Sequence, residues 1–283
     1  MSTAATTVTP ARDTTARREG PVSTLTPAST LSLGIAVTWF SLLVLIPLAA
    51  LVVTAAEGGW AAYWQTLTNP QTLAALRLTV GQAVLVTLIN AVMGTLIAWV
   101  LVRDRFVGKR VLDVVIDIPF ALPTIVAGLV LLSLYGPRSP IGVNWASTKV
   151  AVFLALAFVT LPFVVRTVQP VLEELEHDVE EAAASLGARR ATILRRIIFP
   201  SLAPAIAAGS ALSFGRAIAE YGSLVLLSGN LPFHTEVVSV RVLTFIEGGN
   251  QAAAASLATV MLAVALLVIV CLDIVQRKVA RRG

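Results

Sequence analysis

Six apolar runs, each long enough to cross a bilayer as a helix, constrain this chain more than any other feature. They cover about Leu31 to Ala55, Leu76 to Leu101, Val111 to Tyr135, Val150 to Gln169, Ser201 to Ser228 and Ala252 to Ile274. A hydrocarbon core about 30 Å thick needs roughly 20 mostly apolar residues in a helix, because the segment must satisfy its own backbone N–H and C=O groups. Buried helices of a water-soluble protein would need an amphipathic outer layer, and the segments between the runs are too short and too polar to supply one. Composition points the same way: 57% of residues are apolar and 13% charged, against about 25% charged in soluble domains. The runs predict an all-α, polytopic integral membrane protein with six transmembrane helices.

Residues 1–30 are rich in Thr, Ala and Arg, carry Pro10, Pro21 and Pro27, and lack hydrophobic periodicity, so they read as a disordered tail. The first apolar run starts too late and runs too long for a signal-peptide core, and reads as an uncleaved membrane helix. Loops rich in Lys and Arg stay cytoplasmic. Arg12, Arg17 and Arg18, then Arg103, Arg105, Lys109 and Arg110, then Arg189, Arg190, Arg195 and Arg196, and finally Arg277, Lys278, Arg281 and Arg282 fall on one side, fifteen of the 21 basic residues. The opposite side has Arg138, Lys149 and Arg241. This predicts a multi-pass protein of the cell membrane with both termini cytoplasmic, a membrane domain over residues 31–275 and a basic tail over 276–283. Trp60, Tyr63, Trp64 and Trp145 then fit an aromatic belt at the external interface. The net charge of +5 is accordingly a topology signal, with no nucleic-acid partner implied. Cys271 stands alone, and His177 and His234 lie far apart, so neither an intrachain disulfide nor a metal site is expected.

The one long cytoplasmic loop, residues 171–200, reads VLEELEHDVEEAAASLGARRATILRRIIFP. Leu172, Leu175, Val179, Ala182, Ala183 and Leu186 fall at helical steps, with Glu173, Glu174, Glu176, Asp178, Glu180 and Glu181 on the polar side. Gly187 suits a left-handed C-cap, and a second short helix with Ile193, Leu194 and Ile197 on one face follows before Pro200 opens the next span. The early acids and late arginines match the helix dipole. Six acids on a helix resting in the headgroup layer would be repelled by an anionic leaflet, which favours a protein partner over the membrane surface.

Glu181-Ala182-Ala183, three residues, Gly187, nine residues, Ile197, one residue and Phe199-Pro200 together resemble the EAA loop of the permease subunits of ATP-binding-cassette importers. Phe199 departs from the leucine of that pattern but stays large and apolar. The resemblance implies the type I importer permease fold, with two coupling helices that fit a groove in a cytoplasmic ATPase. It makes Glu181 and Gly187 the docking and turning positions, with Ala182 and Ala183 allowing close approach. No G-x-x-x-x-G-K-[ST] occurs in this chain, so ATP and magnesium are expected on the partner ATPase and no cofactor or catalytic residue here.

The stretch Asp117 to Thr124, the stretch Ala155 to Val168, Arg216-Ala217-Ile218-Ala219-Glu220-Tyr221-Gly222 and the run Ser228 to Glu236 are similar to the sulfate and thiosulfate importer permeases of the T, or U, type, over about residues 31–275. That resemblance implies a second, W-type permease, two ATPase subunits and an extracytoplasmic sulfate-binding protein as partners. Molybdate and tungstate permeases share the EAA loop and the proline-containing third span and are the nearest alternative. An ATP-independent secondary anion carrier is a second, although no inverted three-helix repeat is visible.

An intramembrane charge is costly and usually faces a cavity or a partner. Arg216, in the fifth run with Ser210 and Ser213 before it and Ser223 after, is the candidate contact for an anion. Glu220, four residues on, would share its helix face and offers a pairing explanation instead. Arg166 reads as snorkelling to the interface or meeting the acidic loop. Asp113 and Asp117 are accounted for by a helix N-terminus with Lys109 and Arg110 nearby. Pro47, Pro119, Pro123 and Pro162 interrupt spans, and Pro119, Pro123 and Gly128 make the third span a candidate gate or kink.

Overall fold

The computed structural model describes residues 27–175 and 177–280, and every regular element among them is helical. They fall into two compact units, one ending at Leu48 and the other beginning at Ala49. Helix α1 (Pro27–Phe40) passes through a π-helical turn (Ser41–Leu45) into α2 (Ile46–Glu57), and the division between the units falls within α2. The helix thus starts four residues inside the expected N-terminal tail, whose residues 1–26 lie outside the described ones. The π turn answers Pro47: the Ile46 N–H bonds to the Ser41 carbonyl, five residues back, and the widened turn gives the proline ring room against the preceding carbonyls.

The second unit contains α3 (Gly59–Thr68), α4 (Pro70–Arg103), α5 (Lys109–Ala121), α6 (Thr124–Tyr135), α7 (Lys149–Glu174), α8 (His177–Ser185), α9 (Arg190–Ile193), α10 (Phe199–Ile218), α11 (Gly222–Leu227), α12 (Val238–Glu247) and α13 (Gln251–Ala280). The last helix covers most of the expected basic tail. Local sequence explains the main starts. Asn69 Oδ1 accepts from the N–H groups of Gln71 and Thr72 with Pro70 at the first helical position, and Thr148 Oγ1 accepts from the Ala151 N–H.

Among the described residues, five helices are long and apolar enough to span a membrane: Ser29–Glu57, Pro70–Arg103, Lys149–Glu174, Arg190–Ile218 and Gln251–Ile274. The third predicted span is instead a pair, α5 and α6, bent by 117° at Leu122-Pro123. Leu122 is extended (φ −85°, ψ 134°), as a residue before proline is driven to be, and Pro123 brings no N–H to continue α5. The fifth run also departs from expectation. Its helix begins early, at Arg190, and stops at Ile218, and a break at residues 219–221 separates it from α11.

Helices α4, α7 and α10 form the centre, and two glycines set how closely they approach. A Cβ on Gly94 would stand 2.8 Å from the Val164 Cβ, and one on Gly209 would stand 3.0 Å from the Val164 Cα. Small residues at such crossings let backbones meet where no hydrophobic force separates helix from lipid. One buried cluster gathers Val86, Val152, Leu156, Phe214, Leu224 and Leu257; a second gathers Leu101, Val164, Val168, Leu172, Ile193 and Leu202. Between α4 and α7, the buried Asn90 donates through Nδ2 to Thr160 Oγ1 (2.9 Å) and the Ala157 carbonyl (3.3 Å), so its amide is not stranded in an apolar interface.

Candidate functional site

The EAA segment occupies α8 and the turn after it. Helix α7 continues past its expected end at Gln169 to Glu174, so Leu172 belongs to the buried core and the loop helix is shorter than its sequence pattern suggested. Glu176, placed by the periodicity on the polar side, lies outside the described residues, as does the Asp178 side chain. Gly187 has φ +84°, and its N–H bonds the Ala184 carbonyl while the Ala188 N–H bonds the Ala183 carbonyl. That paired closure requires a left-handed residue, which is why glycine stands there. The expected second short helix is not separate: α9 runs through a π turn (Leu194–Ile198) directly into α10. Here Phe199 N–H bonds Leu194 O ahead of Pro200, the same device that precedes Pro47.

Glu181, Ala182 and Gly187 are exposed, whereas Ala183 is half-buried against the second core cluster. Leu186, 89% exposed, and Leu194, 49% exposed, flank them as apolar surface that the motif does not include. Ile197 and Pro200 are half-buried, and the side chains that anchor the segment are Ile193 and Ile198. A cleft of about 440 Å³ lies beside α8, lined by Trp99, Glu181, Ala184, Arg190, Leu194 and Ile198 among others. Glu180 faces inward, and its Oε1 accepts from Arg103 at 2.5 Å.

The intramembrane charges sort into two arrangements. Arg216 NH2 lies 2.8 Å from Glu220 Oε2, with Glu220 buried and the Arg216 side chain 32% exposed. The two do not share a helix face, because α10 ends at Ile218 and Glu220 sits in the break. Glu220 Oε1 accepts from the Ser223 N–H and hydroxyl, both at 2.9 Å, and caps α11, while its backbone carbonyl accepts from Ser239 Oγ at 2.8 Å. Ser213, one turn before Arg216, is fully buried, and its hydroxyl has no hydrogen-bond partner among the described residues.

Arg166 neither snorkels nor meets the acidic loop. It donates to Asp117 Oδ1 and Oδ2 (2.8 and 2.7 Å), Asp113 Oδ1 (2.7 Å), the Asp113 carbonyl (2.7 Å) and Gln169 Oε1 (2.6 Å). Asp113 and Asp117 are therefore held by α7 across the helix pair, and the helix-end explanation for them is superseded. Phe120 meets Phe163 edge-on just beyond this clasp. Sequence carries only half of this signal: two acids four residues apart in one apolar run and an arginine in the next each need a partner, without saying which.

Pro119 lies inside α5, and the bend sits at Pro123. Gly128 is not at the bend. A Cβ there would stand 2.7 Å from the Ser223 carbonyl oxygen, and one on Gly222 would meet Thr124 Oγ1 and stand 2.9 Å from the Ile125 backbone nitrogen, so α6 and α11 are pressed backbone to backbone. Farther along, Gln71 Nε2 donates to Glu236 Oε2 at 2.7 Å, and Arg241 lies 3.9 Å from Glu236 Oε1 with its guanidinium over the Phe245 ring. By sequence, Glu236 stands out only as the end of the Ser228 to Glu236 run.

Residues 90–282 match the family described as binding-protein-dependent transport system inner membrane component. The chain belongs to this family. It is 42% identical to the sulfate transport system permease protein CysT of Salmonella typhimurium, over 90% of this chain and 95% of that protein. It is also 42% identical to CysT of a Synechocystis species, over 86% and 87% of the two chains. Among solved structures, it is similar to a bacterial ABC transporter involved in the import of the acidic polysaccharide alginate, with a TM-score of 0.73, 17% identity, and 88% and 94% of the chains covered. The MetNI methionine ABC transporter is similar with a TM-score of 0.59, 16% identity, and 75% and 99% covered. At these identities the structures speak to fold alone, and the fold is that of type I importer permeases. Family and spans together make the chain an integral membrane transport protein, and its relatives are permease subunits.

Proposed function

We propose that this chain is the permease subunit of an ABC importer that carries sulfate or thiosulfate across the cytoplasmic membrane. The observation that carries this reading is the 42% identity to sulfate permeases along 90% of the chain, which includes the EAA segment. Both termini lie in the cytoplasm, with residues 31–275 as the permease domain between the tails. The pathway runs between this subunit and a second, W-type permease. Two cytoplasmic ATPases bind ATP and magnesium and dock on Glu181, Ala182, Ala183 and Gly187, with Ile197 and Pro200 supporting the turn. An extracytoplasmic binding protein delivers the anion. Closure of the ATPases on ATP brings the coupling helices together and opens the pathway outward, and hydrolysis returns it.

Arg216, oriented by Glu220 and lying one turn from Ser213, serves as a contact for the dianion: a guanidinium gives charge and N–H donors without trapping the ion as a rigid cage would. The bend at Pro123, with Pro119 and Gly128 in the same pair, forms the gate. Uptake of labelled sulfate and of molybdate in cells lacking this chain tests the reading. Sulfate uptake is expected to vanish and to return with the gene; loss of molybdate uptake alone would assign the other oxyanion, and transport by the purified chain without an ATPase would make it a secondary carrier.

A further inference from the structure

Helix α8 is nine residues long, and its inward face offers little to bury. Ala183 contributes a methyl group to the core, whereas Val179, Glu181, Ala182 and Leu186 point outward. Burial of a single methyl group does little to hold so short a helix in place. The cleft beside it also separates part of α8 from the Leu194–Ile198 turn. A stronger fastening is present one residue before the EAA glutamate. Glu180 Oε1 lies 2.5 Å from Arg103 NH2, and the two side chains are only 23% and 9% exposed, so solvent screens the pair weakly.

Adjacent residues on a helix point about 100° apart, which is how Glu180 faces the protein while Glu181 faces out. Arg103 is the last residue of α4, where the helix dipole favours a cation, and its guanidinium lies 5.6 Å from the Trp99 ring centroid. Helix α4 then runs 34 residues without a break, locked to α7 at Gly94.

We infer that Glu180 and Arg103 form a positioning latch that ties the docking helix to the end of α4, so that a displacement of α8 is delivered to the far end of the membrane domain through α4 as well as through the continuous α9–α10 helix. Glu181 meets the partner, and Glu180 transmits what the partner does. The inference rests on the docking role proposed for α8.

The test uses the complete complex of both permeases, the ATPases and the binding protein in proteoliposomes. Its readouts are ATPase co-purification, ATP hydrolysis and sulfate uptake per ATP. Glu180→Arg and Arg103→Glu each leave the ATPase bound and hydrolysing while uptake per ATP falls about fivefold or more, and the double reversal brings it back to within about threefold of wild type, the signature of a coupled pair. Arg103→Lys, a milder change that keeps the charge, retains most of the coupling and guards against misfolding of the reversals. Single variants that transport normally, a double reversal no better than the singles, or loss of the bound ATPase with Glu180→Arg but not with Arg103→Glu would each overturn the latch. A wild-type complex whose uptake does not depend on ATP would instead overturn the docking reading on which it stands.

Discussion

Arg166 and Arg216 are both arginines within membrane spans, and their side chains are similarly exposed, 28% and 32%. What differs is saturation. Arg166 spends all five of its N–H groups on two aspartates, a backbone carbonyl and a glutamine, and it joins α5 to α7. Among the described residues, Arg216 has one ion-pair contact, to a carboxylate whose other oxygen is occupied by Ser223. An anion approaching Arg166 would meet no free donor and two acids against one base. At Arg216 it would meet a cation held in place from behind with donors to spare. Partner count, more than burial, separates a cation used as scaffold from one left available.

The largest effect is expected at the saturated site. Arg166→Ala leaves Asp113 and Asp117 without their guanidinium. Removing one partner of a fully buried pair costs roughly 3–5 kcal/mol, and because the two aspartates are 43% and 48% exposed the loss here is on the order of 2 kcal/mol. Thermal unfolding of the purified protein in detergent should show a clearly lower midpoint, with stability and transport falling together. Arg166→Lys restores only part, since an ammonium cannot reproduce the forked, five-donor geometry. An Arg166→Ala protein that melts like wild type would remove the contrast.

At the available site the pattern is expected to separate. Arg216→Gln takes the counter-ion from the buried Glu220 carboxylate, whose other oxygen Ser223 still bonds, and with the arginine itself 32% exposed should cost on the order of 1–2 kcal/mol of stability. Sulfate uptake should nevertheless fall about tenfold or more, because one charge-assisted contact to the ion, worth roughly 1.5–3 kcal/mol, is gone. Melting and uptake measured on the same preparation decide between the two roles. A variant that loses stability and uptake in proportion would make Arg216 a second scaffold charge.

These two sites also mark how far the sequence could be read. Helical spans, their approximate ends and the turn at Gly187 were legible because hydropathy over about 20 residues and a left-handed glycine are local signals. The clasp at Arg166 was not, since its partners lie 49 and 53 residues away, and nothing local says which acid an arginine will find. The pairing of Glu220 with Arg216 was legible, but the setting of Glu220 was not, for a related reason. Its spacing from Arg216 fits a helix, but the chain breaks at residues 219–221 so that Glu220 can cap α11 and Gly222 can sit against Thr124. Composition could not announce that break, because the residues beyond it, Leu224 to Leu227, are as apolar as a span. Gly128, grouped by sequence with Pro119 and Pro123 as a candidate gate or kink, lies beyond the bend and is required for contact with Ser223.

The smallest effect concerns the bend between α5 and α6. If Pro123 alone made the 117° turn, Pro123→Ala would let Leu122 become helical and α5 run straight into α6. The packing argues otherwise: α6 is pinned to α11 at Gly222–Thr124 and Gly128–Ser223, and α5 is pinned to α7 by Arg166. Straightening the pair would have to break one of these attachments, at a cost above the roughly 0.4–1 kcal/mol that a compatible proline contributes by restricting the unfolded chain. Pro123→Ala is therefore expected to keep the bend and lose less than about 1 kcal/mol. Distances between spin labels on α5 and α6 check this directly. An extended pair in the variant would show that the proline, and not the clasp and the glycines, holds the two halves apart.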